Sequence, residues 1–137
     1  MNKLPPSLIE SLKDIPGFNK EAFENVHQSG EQITSIRLNP NKIFNIKYSI
    51  LNIPWTSNGY YLSQRPSFTL DPLFHAGVYY VQDASSMFLE EALKQSIDLS
   101  KPLRVLDLCA APGGKSTLIQ SAISKESLLV SNEVIKT

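Results

Sequence analysis

The run Asp107-Leu108-Cys109-Ala110-Ala111-Pro112-Gly113-Gly114-Lys115-Ser116-Thr117 holds the residue types that let a polar ligand reach the main chain. Ala110, Ala111, Gly113 and Gly114 carry little or no side chain, and the free N–H groups at the start of a following helix can meet polar ligand atoms. Glu133 stands 20 positions after Gly113. In dinucleotide-type sites an acid so placed ends the next strand and receives the two hydroxyls of a ribose, and its charge disfavours a phosphate there. Loop and acid together point to an adenosine-bearing ligand.

Other chemistries fit these residues less well. Gly114-Lys115-Ser116 ends as a phosphate-binding P-loop ends, but that pattern needs a glycine five positions before Gly114. Cys109 stands there instead, and Ala111-Pro112 stiffens a loop that would have to wrap a triphosphate. A tight turn that binds nothing would leave the coincidence of small residues, Gly-Gly and a spaced acid without a reason. Lys115 and Ser116 read as loop and cap groups. Cys109 is the only thiol; beside a cofactor loop it reads as a small apolar residue rather than a nucleophile. His27 and His75 lie far apart with no acid or cysteine cluster near them, so no metal is expected.

The elements that must position the loop follow from periodicity. Arg104-Val105-Leu106-Asp107-Leu108 is a short apolar run of the kind buried on both faces of a parallel sheet. A helix from about Ser116 to Ser124 and a strand Leu128-Leu129-Val130-Ser131-Asn132 complete a βαβ unit after Pro102. Upstream, Ser7 and Glu10 have capping-box spacing ahead of a first helix, and Asn19 opens a second that Ser29-Gly30 stops. Ile33–Leu38 reads as a strand with Thr34, Ile36 and Leu38 on one face and Ser35 and Arg37 on the other. Phe44, Ile46, Tyr48 and Ile50 alternate as a strand would, yet could also end a helix. Tyr60-Tyr61-Leu62 and Val78-Tyr79-Tyr80-Val81 are strand-like, and Asp83 can cap a helix carrying Met87, Phe88, Leu89, Ala92 and Leu93.

Composition bounds the partners. The chain has 137 residues, thirteen basic and thirteen acidic, with one cysteine. The balance excludes a protein that coats nucleic acid through bulk charge, and the lone cysteine excludes an internal disulfide, so reducing cytoplasm is the expected location. No apolar stretch approaches the roughly 18 residues of a membrane span. Distribution is less even than the total. No acid lies between Glu31 and Asp71, whereas Arg37, Lys42, Lys47 and Arg65 alternate with Phe44, Tyr48, Trp55, Tyr60, Tyr61 and Phe68. Cations meeting phosphates and rings stacking on unpaired bases are how single-stranded RNA is gripped, although any one of these rings reads more readily as core. Arg37, beside Asn39, is the side chain expected to touch RNA.

The cofactor-loop run resembles that of the RNA cytosine-5 methyltransferases of the Sun (RsmB/Nop/Sun) family. Ser35-Ile36-Arg37-Leu38-Asn39-Pro40 is similar to that family's Arg-x-Asn strand, and Gly77–Met87 to the segment leading into its methyltransferase domain. The resemblance implies that the backbone of Cys109, Ala110, Ala111, Pro112, Gly113, Gly114 and Lys115 lines S-adenosyl-L-methionine. Asp107 would orient the loop and help hold the methionine end, and Glu133 would bind the ribose hydroxyls. It further implies attack of a cysteine thiolate on carbon 6 of cytosine, which activates carbon 5 for the methyl group. The family's cysteines lie on loops downstream of the cofactor motif, and no residue up to Thr137 matches them.

The expected fold is therefore α/β: a small N-terminal α+β, RNA-facing domain over 1–70, a connecting segment and helix over 71–101, and over 102–137 the first βαβ unit of a Rossmann-like class I methyltransferase domain, truncated. The expected activity is methylation of carbon 5 of cytosine in ribosomal or transfer RNA by a monomeric enzyme with no membrane and no metal partner. This chain is expected to be inactive and to bind cofactor weakly alone. A stand-alone RNA-binding module with a vestigial cofactor loop is the alternative, and a P-loop nucleotide hydrolase a further one.

Overall fold

A computed structural model describes residues 4–42 and 50–135, which form two compact units, Met1–Ile33 and Thr34–Thr137. Phe44, Ile46, Lys47 and Tyr48 lie outside the described residues.

The first unit holds α1 (Pro6–Leu12) and α2 (Lys20–Ser29), neither with a buried residue. Pro6 begins α1, where its missing N–H is not needed. The helix thus starts two residues too early for the expected capping box: Pro5 occupies the cap and Ser7 falls inside the first turn. Asn19 caps α2 by accepting the Ala22 N–H at 3.0 Å, and Gly30 ends it at φ 66°, a left-handed conformation that favours glycine. Phe23 packs edge-on against Phe18 and lies 4.3 Å from the His27 ring.

The second unit is built on an antiparallel sheet of order β2-β3-β1-β4, with β1 Thr34–Leu38, β2 Ile50–Asn52, β3 Gly59–Leu62 and β4 Tyr79–Val81. The sheet takes in residues on both sides of position 70, where sequence reasoning divides the chain. The segment after that point carries the short α3 (Pro72–His75), capped by Asp71 accepting the Leu73 N–H at 2.9 Å. One sheet face buries Ile36, Leu62, Val78 and Tyr79 among Tyr60, Phe68 and Phe74. On the other side, α4 (Ala84–Ser96) and α5 (Gly114–Ala122) deliver Met87 and Leu118 to Ile53, Trp55 and Tyr61. Each such fully buried apolar side chain stabilises the fold by ~1.5–3 kcal/mol. The rings Trp55, Tyr60, Tyr61 and Phe68 all serve these two cores.

A polar latch completes the docking of α4. The buried carboxylate of Glu90 accepts from the Ser57 N–H at 3.1 Å, from Lys94 Nζ at 2.6 Å and from the Thr56 hydroxyl. Asp83 precedes α4 as its N-cap residue but makes no side-chain cap bond.

β5 (Arg104–Asp107) and β6 (Leu128–Ser131) run parallel, Asp107 opposite Ser131, with α5 between them in sequence. α5 opens at Gly114, two residues before the expected start. The strand expected to be buried on both faces is not: Leu106 is 58 % exposed and its neighbours Leu128 and Val130 are exposed with it. Among the described residues the parallel sheet has two strands. One side of it meets α5 and the other, carrying these residues, is open.

Candidate functional site

The loop joining β5 to α5 sits at the carboxyl end of the parallel pair, and Glu133 lies just past β6 on the same end. Asp107 anchors the loop from below. Its Oδ2 accepts from the Ser116 hydroxyl at 2.6 Å and its Oδ1 from the Cys109 N–H at 3.3 Å. Ala110 donates its N–H to the Asn132 carbonyl at 2.9 Å, and the Asn132 side-chain amide donates to the Leu108 carbonyl at 3.2 Å. The Gly113 N–H then turns back to the Ala110 carbonyl at 2.7 Å. Gly113 itself has φ 100°, and a Cβ there would meet nothing within 4 Å, so the turn is both glycine-dependent and open above.

Glu133 closes the far side. Its Oε2 accepts the Ala111 N–H at 3.0 Å, and its Oε1 accepts from Val134 at 2.9 Å and Ile135 at 3.0 Å. The N–H groups of Ile135, Ala111 and Val134 lower this carboxyl from its ordinary value by favouring the anion.

The structure thus gathers Asp107, Cys109, Ala110, Ala111, Pro112, Gly113, Gly114 and Glu133 around one loop, with Lys115 exposed at the start of α5. Cys109 is exposed, held through its backbone. The residues present fit S-adenosylmethionine: a small-residue turn, open at Gly113, lies beside a carboxylate. Among the described residues no group of three or more His, Cys, Asp or Glu could hold a metal ion, and no helix is long and apolar enough to cross a membrane.

Arg37 is placed differently from the expectation. It does alternate away from Ile36, but its face of the sheet meets α5 rather than solvent, and the residue is 5 % exposed. Its Nε donates to Gln82 Oε1 at 2.9 Å and Nη2 to Thr117 Oγ1 at 2.6 Å, with longer approaches to the Gly114 and Thr117 carbonyls at 3.4 Å. The guanidinium's donors are thus engaged within the protein rather than turned to solvent. Asn39 is likewise engaged within the protein: Nδ2 donates to the Gly77 carbonyl at 3.1 Å and Oδ1 accepts the Asn41 N–H at 3.0 Å, fixing the turn after β1. Arg65, also expected on the basic face, lies over the Phe68 ring at 5.4 Å.

Sequence reasoning missed Tyr80, Gln82 and Asn132. Tyr80 is the register partner of Arg37 and donates its hydroxyl to the Pro112 carbonyl at 3.0 Å. The alternation of Tyr80 and Gln82 along the fourth strand, matched to Ser35 and Arg37, was the available signal.

The fold resembles that of a methyltransferase homolog protein from Pyrococcus horikoshii, with a TM-score of 0.60 and 26% identity, over 93% of this chain and 48% of that one. A second solved structure reaches a TM-score of 0.70 at 25% identity, covering 96% of this chain and 31% of its own. The chain belongs to the family of the N-terminal domain of 16S rRNA methyltransferase RsmF, whose family model matches residues 4–84. Curated relatives include ribosomal RNA small subunit methyltransferase F of Shewanella woodyi, 34% identical over 110 residues, and that of Erwinia tasmaniensis, 36% identical over 92. These alignments take in 72% and 64% of this chain but only 23% and 19% of the relatives, so the chain spans about a fifth of their length.

Proposed function

We propose that this chain supplies the N-terminal domain and the cofactor loop of an S-adenosylmethionine-dependent enzyme that methylates carbon 5 of a cytosine in small-subunit ribosomal RNA. The observation that carries the cofactor is the bond from the Ala111 N–H to Glu133 Oε2 at 3.0 Å, which sets an ionised acid across an open glycine turn. The unit β5–α5–β6 is then the opening of a Rossmann-like domain, where ligands sit at the carboxyl ends of strands. The relatives are ribosomal RNA methyltransferases, which favours ribosomal over transfer RNA.

When bound, the cofactor supplies a sulfonium methyl group open to attack. Glu133 receives the ribose hydroxyls, giving up part of its present hold on backbone N–H groups. Asp107, tied to Ser116 and to the Cys109 N–H, fixes where the methionine end can lie. The backbone of Cys109 to Lys115 lines the cofactor. No catalytic residue is assigned here, Cys109 included, because its position belongs to the loop that would line the cofactor. Cys109→Ala in the full-length protein should therefore leave the covalent RNA adduct intact; loss of the adduct with cofactor binding preserved would make Cys109 the nucleophile. The chain alone should not methylate RNA. A monomeric cytoplasmic enzyme completes the reading.

Isothermal titration of S-adenosylmethionine into the full-length protein tests the cofactor, and transfer of labelled methyl to 16S rRNA, followed by mass spectrometry of the modified base, tests the reaction. Absence of cofactor binding there would leave an RNA-binding module with an idle loop.

A further inference from the structure

Two strands of the antiparallel sheet reach directly into the frame of the cofactor loop. On β1, Arg37 bridges Gln82 at 2.9 Å and the Thr117 hydroxyl at 2.6 Å, while its guanidinium also lies 3.4 Å from the Gly114 carbonyl. On β4, the Tyr80 hydroxyl holds the Pro112 carbonyl at 3.0 Å. Packing leaves no slack between them: a Cβ on Gly114 would stand 3.3 Å from the Tyr80 ring and 3.5 Å from the Gln82 amide. The guanidinium spans α5 from the Gly114 carbonyl to the Ser121 hydroxyl at 3.5 Å, so it fixes the rotation of the helix as well as its docking on the sheet. Burial also lowers the affinity of Arg37 for its proton, with Glu90 acting in the opposite sense.

We infer that Arg37 and Tyr80 are positioning residues for the cofactor loop, so that the N-terminal sheet is the floor of the cofactor site rather than a separate RNA-gripping appendage. Tyr80 sets the height of Pro112, and Arg37, oriented by Gln82, sets the rotation of the first turn of α5. Together they hold both ends of the Gly113 turn against the sheet. This inference rests on the cofactor reading above.

The test compares the full-length protein with its Tyr80→Phe, Arg37→Lys and Leu62→Ala variants. Tyr80→Phe removes one hydroxyl, and Arg37→Lys keeps the charge but cannot bridge Gln82 and Thr117 together. Leu62→Ala hollows the core on the opposite sheet face and serves as the control for general destabilisation. Tyr80→Phe and Arg37→Lys should each weaken S-adenosylmethionine binding by about tenfold, the effect of one or two lost hydrogen bonds. Their affinity for 16S rRNA without cofactor should match that of the unaltered protein. Leu62→Ala should lower the melting temperature with cofactor affinity unchanged. Unchanged cofactor affinity in Tyr80→Phe overturns the inference even if Arg37→Lys does not fold. An equal loss in Leu62→Ala also overturns it, since the effect would then be one of stability. An unaltered protein that binds no cofactor removes the cofactor reading and this inference with it. Loss of rRNA affinity in Arg37→Lys alone would return Arg37 to RNA contact.

Discussion

The carboxylate of Glu133 and the backbone N–H of Ala111 meet at 3.0 Å across the cofactor loop, although 22 residues separate them in the chain. Replacing Glu133 by Ala removes the acceptor for a ribose as well as this tie. Affinity for S-adenosylmethionine should fall by about ten- to a hundredfold, the effect of losing hydrogen bonds to a charged group. Calorimetry on the full-length protein checks this, with Glu126→Ala, on the exposed turn before β6, as the neutral comparison.

Because backbone donors lower the Glu133 carboxyl from its ordinary value, the fall in cofactor binding with acid should have its midpoint below 4.5. A binding curve that drops with a midpoint at the ordinary value of 4.5 would show that Glu133 is not the group that matters.

Glu90 gives a stability prediction with a definite sign. Burial works to raise its value, but bonds from Lys94, Thr56 and Ser57 outweigh that and lower it from 4.5 to about 2. A carboxylate depressed on folding stabilises fully above its unfolded value, and that contribution is lost as pH falls through the folded value. Glu90→Gln should therefore cost about 1–3 kcal/mol near neutrality. The gap between the two unfolding curves should narrow below pH 4.5 and close near about 2. A gap independent of pH would assign the effect to packing.

Gly59 opens β3 where a methyl group would strike Thr56 Cγ2 and come within 2.6 Å of Met87 Sδ. Gly59→Ala should destabilise the second unit by about 1–3 kcal/mol through overpacking. Chemical denaturation measures it, and a smaller cost of Gly59→Ala in a Met87→Ala background would identify the collision.

Gly113→Ala meets no neighbour, yet φ 100° strains any residue with a Cβ. Its cost of about 1–2 kcal/mol should fall on the loop, weakening cofactor binding more than it lowers the melting temperature.

How much of this could be read from the sequence depended on whether the signal was local. The Asn19 cap, the Gly30 stop, the alternation along Thr34–Leu38 and the strand-loop-helix-strand order after Pro102 are set by neighbouring residues, and each is found in the structure. The inward destination of Arg37 was not legible. Period-two alternation tells which residues share a face, but whether that face meets water or a helix 80 residues later is a tertiary fact. The same limit hides that Tyr79–Val81 joins the sheet by pairing with Ile36–Leu38. At the site, the small residues and Glu133 stood out by type and spacing, whereas Tyr80 and Asn132 are ordinary strand and turn residues until the fold brings them to the loop.

The central position of β1 in the sheet also dictates an order of events during synthesis. β1 is the first of the four strands to leave the ribosome, yet its two neighbours, Gly59–Leu62 and Tyr79–Val81, emerge about 25 and 45 residues later. The Thr117 partner of Arg37 comes later still. The nascent sheet must therefore wait with its guanidinium held by Gln82 alone until α5 arrives to cover it.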